Sequence, residues 1–165
     1  MKIKTKNAPL EINKIEEFET NYGFKIPTEF RNFLLENNGI YFKPMLFDLE
    51  VQNEITTFCT NSIYSIHNNK DFDIEWIRSL TRENIEQNGF YINDSDCFIF
   101  IAPEYDNEIY LGIKGKYYGK VYLVDKVNED GIETKLHLIA NNFSEFLNML
   151  RESDIEPYDE NEVFN

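Results

Sequence analysis

The stretch from Ile15 to Gly39, IEEFETNYGFKIPTEFRNFLLENNG, decides the fold, because it holds two helix patterns and the stop signal of each. Around its start, Leu10 to Tyr22 places Ile12, Ile15, Phe18 and Tyr22 on one side at helical spacing, and Glu16, Glu17 and Glu19 are expected across the remaining surface. Gly23 supplies the stop, since a left-handed residue at a helix C-terminus carries no penalty without a Cβ. Phe24-Lys25-Ile26 reads as a short extended connector. Pro27 opens a second helix, where its fixed φ suits the first turn and its missing N–H does little harm. Phe30, Phe33, Leu34 and Asn37 continue one face, and Asn38-Gly39 closes it.

Upstream lies only a short basic arm, Met1-Lys2-Ile3-Lys4-Thr5-Lys6. Downstream the period changes. Phe47, Leu49 and Val51 alternate with Asp48, Glu50 and Gln52, the period-2 pattern of a half-buried strand, and strands are expected across Ile40 to Thr60. Ile63 to Ile66 forms another short extended piece and Asn68-Asn69-Lys70-Asp71 a loop. Asp73 to Gln87 then returns to helix, with Ile74, Ile77, Leu80 and Ile85 inward and Trp76, offset from them, either flanking the core or partly exposed. Four β-rich runs follow, Cys97–Ala102, Ile109–Ile113, Lys120–Val127 and Ile132–Ile139. The turn segments between them are short enough to imply antiparallel pairing. A last helix starts at Asn141 or Asn142 with Glu145 as capping-box partner, and Phe143, Phe146, Leu147 and Leu150 line its inner face. The domain is expected over residues 1–150. Residues 151–165 form an acidic tail with one Arg against six carboxylates, and Pro157 breaks any helix there.

A length of 165 residues suits one core, and 42% hydrophobic residues with 14 Phe, 10 Tyr and one Trp exclude a disordered chain. No stretch approaches the roughly 20 apolar residues that span a bilayer, and the basic N-terminus runs into polar residues without an apolar signal core. A cytoplasmic protein is expected, and two cysteines without Cys-x-x-Cys spacing support neither a disulfide scaffold nor a zinc site. The formal charge of −14 repels phosphate and anionic lipid, which disfavours nucleic-acid and membrane partners.

Catalytic signatures are missing. His137 sits between Leu136 and Leu138 in a strand, His67 follows an apolar run, and Cys59 and Cys97 read as structural thiols. Asp94-Ser95-Asp96 and Glu104-Tyr105-Asp106-Asn107-Glu108 lack the Gly and terminal Glu of a calcium loop and read as exposed turns. There is no Walker loop, dinucleotide fingerprint or nucleophile elbow. A hydrolase with paired carboxylates has no acid–base constellation to support it. No metal, no cofactor and no catalytic residue is expected. In Tyr117-Tyr118, before Gly119, a pleated backbone would turn one ring inward and one outward.

Three stretches together resemble the SMI1/KNR4 family of the wider SUKH superfamily. The first runs from Ile15-Glu16-Glu17-Phe18-Glu19 through Gly23-Phe24-Lys25-Ile26-Pro27 to Phe30-Arg31-Asn32-Phe33-Leu34-Leu35-Glu36-Asn37-Asn38-Gly39. It is similar to the family's acidic helix, Gly-x-x-Leu-Pro-like turn, second helix and Asn-Gly stop. The second, Tyr118-Gly119-Lys120-Val121-Tyr122-Leu123-Val124-Asp125, resembles the Gly-x-Val-Tyr-x-x-Asp strand. The third, Ile139-Ala140-Asn141-Asn142-Phe143-Ser144-Glu145-Phe146-Leu147, resembles the closing helix. The order and spacing match over residues 11–150. Ile40 departs from the family's second Gly after Asn, Val124 stands where an aromatic is frequent, and Glu104–Glu108 lacks the usual glycines.

The resemblance implies an α+β single domain whose bent, mostly antiparallel sheet is packed by N-terminal helices and a C-terminal helix, in agreement with the periodicity. It further implies a non-catalytic bacterial immunity protein that binds and neutralises a cognate toxin domain, often a nuclease. The alternative is a regulatory or scaffold module with an endogenous protein partner. A nuclease is basic around its substrate cleft, so acidic residues are the expected contacts: Asp94, Asp96, Glu104, Asp106 and Glu108, with Tyr117 as an aromatic contact. The segment from about Met45 to Asp96 and the tail match the family only loosely, so partner choice is expected there. A monomer or weak homodimer is expected.

Overall fold

The computed structural model describes residues 3–66, 73–74, 95–104, 107–125 and 135–152. The expected helix pair forms as α1 (Ile12–Tyr22) and α2 (Thr28–Asn37), with Gly23 left-handed at φ 69 and Pro27 just before α2. The buried stripe of α1 is Ile15, Phe18 and Glu19, whereas Ile12 is 48% exposed. Glu19, expected at the surface, is 2% exposed. Its position four residues after Ile15 carries it onto the inner stripe, and its charge is met there. Glu19 Oε1 accepts from Arg31 Nη1 at 2.6 Å and from the Ile26 N–H at 3.0 Å, and Oε2 accepts from Lys25 Nζ at 2.7 Å. One carboxylate thus ties α1, the connector and α2 together.

Asn38 and Gly39 close α2 at φ 38 and 86. A Cβ on Gly39 would lie 2.8 Å from Ser65 Cβ, so the tight approach and the positive φ both require glycine. Asn38 is buried and clips the chain at Ile66, donating from Nδ2 to the carbonyl at 3.1 Å and accepting the N–H on Oδ1 at 2.9 Å. Ile40, where the family's second Gly stands, is buried at the start of the next strand and pairs with Ile63.

Eight strands among the described residues form two four-stranded antiparallel sheets. In the first, β1 (Ile3–Lys6), β2 (Ile40–Val51) and β3 (Glu54–Ile63) lie in that order, and β8 (Arg151–Glu152) also pairs with β2. The β2–β3 register slips between Tyr41 and Met45, where Pro44 has no N–H to give to the ladder. Beyond it the pairing runs unbroken from Met45↔Thr60 to Val51↔Glu54. Gln52 and Asn53, at φ 55 and 67, turn the hairpin with the left-handed geometry that matches strand twist. The second sheet runs β4 (Phe98–Glu104), β5 (Asn107–Gly112), β6 (Val121–Asp125) and β7 (Lys135–Ala140) as a meander. The two meet where the Tyr64 N–H donates to the Ile101 carbonyl at 2.8 Å, so the expected bent sheet is two ladders joined at a corner.

Two segments differ from the sequence reading. The N-terminal basic arm is a strand, because Lys2-Ile3-Lys4-Thr5-Lys6 alternates with period 2 and Ile3, Thr5 and Lys6 find Phe42, Tyr41 and Ile40 opposite. Arg151 and Glu152, assigned to the tail, pair with Leu46 and Met45. Arg151 Nη2 also reaches Asp48 Oδ1 at 2.8 Å. The helix expected over Asp73–Gln87 lies outside the described residues except for the buried Asp73 and Ile74, as do Trp76, His67 and residues 153–165.

The core is built on phenylalanine. Helix α3 (Phe143–Met149) begins at Asn142, whose Oδ1 accepts the Glu145 N–H at 2.8 Å while Glu145 Oε2 accepts the Asn141 N–H. Phe143 packs against Phe30 and Phe33 of α2 with centroids 4.8 and 5.2 Å away, and Phe146 reaches Phe47 of β2 at 5.8 Å. Each such ring contributes about 2–3 kcal/mol by burial. Among the described residues no helix is long and apolar enough to cross a membrane.

Candidate functional site

Strands β4, β5 and β6 are apolar on both faces, which sets the surroundings of Asp96, Glu104, Glu108 and Tyr117. Ile99, Ile101, Ile109, Leu111, Val121 and Leu123 enter the main core, while Phe98, Tyr110, Tyr122 and Val124 form a second buried cluster. Val124 is 1% exposed among those rings. Phe100 stacks on Tyr110 and meets Tyr64 edge-on at 4.9 Å.

Those expected contact residues that are described lie at opposite ends of the β4–β5 hairpin. Glu104 pairs with Asn107 at one end and Phe98 with Gly112 at the other, which separates the ends by roughly 20 Å at strand rise. At the far end Asp96, in a 3-10 turn (Ser95–Cys97), is exposed and accepts from Lys114 Nζ at 3.2 Å. That hydrogen bond, with the ammonium charge behind it, holds the Asp96 carboxyl below its ordinary value. Tyr117 belongs to a second 3-10 turn (Gly115–Tyr117) rather than to a pleat. Gly112 makes room for it: a Cβ there would lie 2.0 Å from the Tyr117 carbonyl oxygen. The Tyr117 ring is half-buried against Phe98 at 4.7 Å, Lys116 Nζ sits 4.9 Å from its centroid, and Tyr118 is the exposed ring.

At the near end Glu104 corrects the expectation of an exposed turn. It is 5% exposed, and its carboxylate accepts the Cys59 N–H at 3.2 Å and Asn107 Nδ2 at 3.0 Å. Alternation could not show this, because both faces of β4 are apolar. Glu108 is half-buried and accepts the Tyr110 hydroxyl. Burial first, and then the Glu108 charge, push the Tyr110 and Tyr64 phenols up. Burial and the Glu104 charge likewise raise the Cys59 thiol, which suppresses its thiolate. Asp94 and Asp106 lie outside the described residues. Neither cysteine is in a disulfide and both are half-buried, and among the described residues no three His, Cys, Asp or Glu groups converge on a metal position.

The β2–β3 hairpin contributes a surface that no motif marked. Ile55 is 70% exposed, and Glu50, Glu54, Thr56 and Thr57 are exposed around it. The detectable signal was local: Glu54 to Thr57 carries β-branched residues but lacks the alternation that would bury them.

The SMI1 / KNR4 family (SUKH-1) model matches residues 9–149. The chain belongs to the SMI1/KNR4 family. The match starts before α1 and ends with α3, so β1 and β8 flank the SMI1/KNR4 region while sharing its strand β2. All three motif stretches of this SMI1/KNR4 chain serve packing and turns: Asn38-Gly39 closes α2, Gly119 turns at φ 82 into β6, and Asn142 caps α3. No curated protein matches the chain closely enough to count as a relative.

Proposed function

We propose that this SMI1/KNR4 chain is a bacterial immunity protein that binds and neutralises a cognate toxin domain by stoichiometric association, without catalysis, in the cytoplasm. Family membership across residues 9–149 is the observation that carries the reading. The charge of −14 supports a basic target such as a nuclease, because an acidic inhibitor accelerates encounter and competes with phosphate for the same cleft. Stable inhibition requires about 1,200–2,000 Å² of buried surface. Asp96, Glu108 and Tyr117 are proposed contacts, together with Asp94 and Asp106. Glu104 supports them from inside by holding Asn107 and the Cys59 N–H.

The test is capture of partners from the native host with mass spectrometry, at low and high salt. Capture of a basic toxin domain whose activity is blocked at equimolar inhibitor, with recovery falling as salt rises, is the expected result. Recovery of housekeeping proteins alone, or a toxin candidate that stays active, overturns it in favour of a regulatory module with an endogenous partner.

A further inference from the structure

Strand β3 has β2 on one side, and β4 lies against part of its other side, with two bonds made there among the described residues. Glu104 takes the Cys59 N–H, and Tyr64, just past the strand, bonds to Ile101. In an antiparallel ladder the N–H and C=O of one residue point the same way, and successive residues alternate. Cys59 therefore fixes the direction of its neighbours: with unbroken register from Thr60 to Glu54, Thr57 and Ile55 also point away from β2. The turn agrees, since a two-residue hairpin closes on a hydrogen-bonded pair, here Val51↔Glu54. Proteins blunt such edges with Lys, Pro or a bulge. Glu54 to Phe58 contains none of these, and Ile55 is 70% exposed.

Charge selects the occupant. Residues 46–59 include Asp48, Glu50 and Glu54 but no Lys, Arg or His. Arg151 comes to Asp48 from the opposite edge of the hairpin, which leaves Glu50, across from Ile55, and Glu54, at the turn, as the carboxylates nearest the outer edge of β3. A second copy would bring Glu50 and Glu54 against like charges and one −14 chain against another. We propose that the outer edge of β3, at Ile55–Thr57, takes an extended segment bearing lysine or arginine from the partner protein as an added strand. Main-chain hydrogen bonds supply the affinity and the acidic hairpin selects the partner's charge. The proposal deepens the immunity reading and rests on its basic protein partner.

The experiment uses the full chain labelled with 15N and two blocked heptapeptides, one alternating lysine with valine and the other glutamate with valine. The readout is amide hydrogen exchange. The lysine peptide slows exchange at Ile55 and Thr57 by about tenfold, the glutamate peptide does not, and Thr56 and Phe58, already bonded to β2, stay unchanged. Thr57→Pro removes an outward N–H and no main-chain bond to β2, losing only the exposed Thr57 Oγ1 bond to Asp48, and abolishes the protection; Thr57→Val, which loses that side-chain bond but keeps the N–H, retains it. Ile55→Lys, which installs the missing guard, weakens it. Thermal midpoints confirm that each variant folds. Unchanged exchange with the lysine peptide, equal protection by both peptides, or full protection in both Thr57→Pro and Ile55→Lys overturns the proposal. So does protection in the free chain that grows with its concentration, which assigns the edge to a second copy. A captured toxin that Thr57→Pro inhibits as well as the parent chain sinks the edge and leaves immunity standing; protection by the lysine peptide with no toxin captured does the reverse.

Discussion

Glu19 shows how one residue can be decided by its surroundings. Burial alone would raise its carboxyl, but hydrogen bonds from Lys25, Arg31 and the Ile26 N–H outweigh that and hold it below the ordinary value of 4.5. The folded chain thus binds this proton less readily than the unfolded one, so the stabilisation is complete above about pH 4.5 and is lost as pH falls through the lower folded value. Lys25 is 73% exposed and contributes little through solvent, so Arg31, at 23%, and the Ile26 N–H dominate. Glu19→Gln is expected to cost about 2–4 kcal/mol in urea unfolding at neutral pH, with the difference from the parent shrinking below about pH 4. An unchanged difference across that range would remove the ionised carboxylate from the account. The residue was legible in part: the spacing from Ile15 placed it inward, and only the general habit of charged residues placed it outward.

Among the elements, Asn38 carries two separable tasks, a left-handed backbone and a side-chain clip on Ile66. Asn38→Gly keeps the first and loses the second, so it should cost about 1–3 kcal/mol for the buried Ile66 groups left unpaired. Asn38→Ala should cost about 1 kcal/mol more for the strained φ. Equal losses in thermal unfolding would mean that the backbone conformation is unimportant. At the β2–β3 turn the opposite change helps. Replacing Gln52-Asn53 by Asn-Gly suits both positive φ values and is expected to stabilise by roughly 1 kcal/mol, seen as a higher urea midpoint with unchanged slope. The helices were legible because Gly23, Pro27, Asn38 and Asn142 mark their ends chemically. Strand β1 was less so, since four residues give only two repeats of a period. For Tyr117-Tyr118 one ring does turn inward and one outward, but on a 3-10 turn rather than a pleat, because the turn rests on the close approach of the Tyr117 carbonyl to Gly112, which no local period announces.

For the whole molecule, charge is the dominant long-range term. Sixteen basic and 30 acidic residues repel one another on balance, so added salt should raise the thermal midpoint by a few degrees between about 0.01 and 0.15 M while weakening any complex with a basic partner. A midpoint that falls with salt would show that local ion pairs outweigh the net repulsion. The α+β class and the antiparallel order were readable from the succession of periods. The second aromatic cluster was not, because Phe98-Ile99-Phe100-Ile101 is apolar at every position and cannot announce two faces. The shared strand β2 has a kinetic consequence. It is flanked by β1 from the start of the chain and by β8 from beyond α3, and Arg151 stands 103 positions from its partner Asp48. A growing polypeptide on the ribosome exposes β2 early but cannot seat Phe146 on Phe47 or β8 beside the strand until the segment to residue 152 has emerged, so helix α3 and β8 together close one long loop and its entropy is met late in folding.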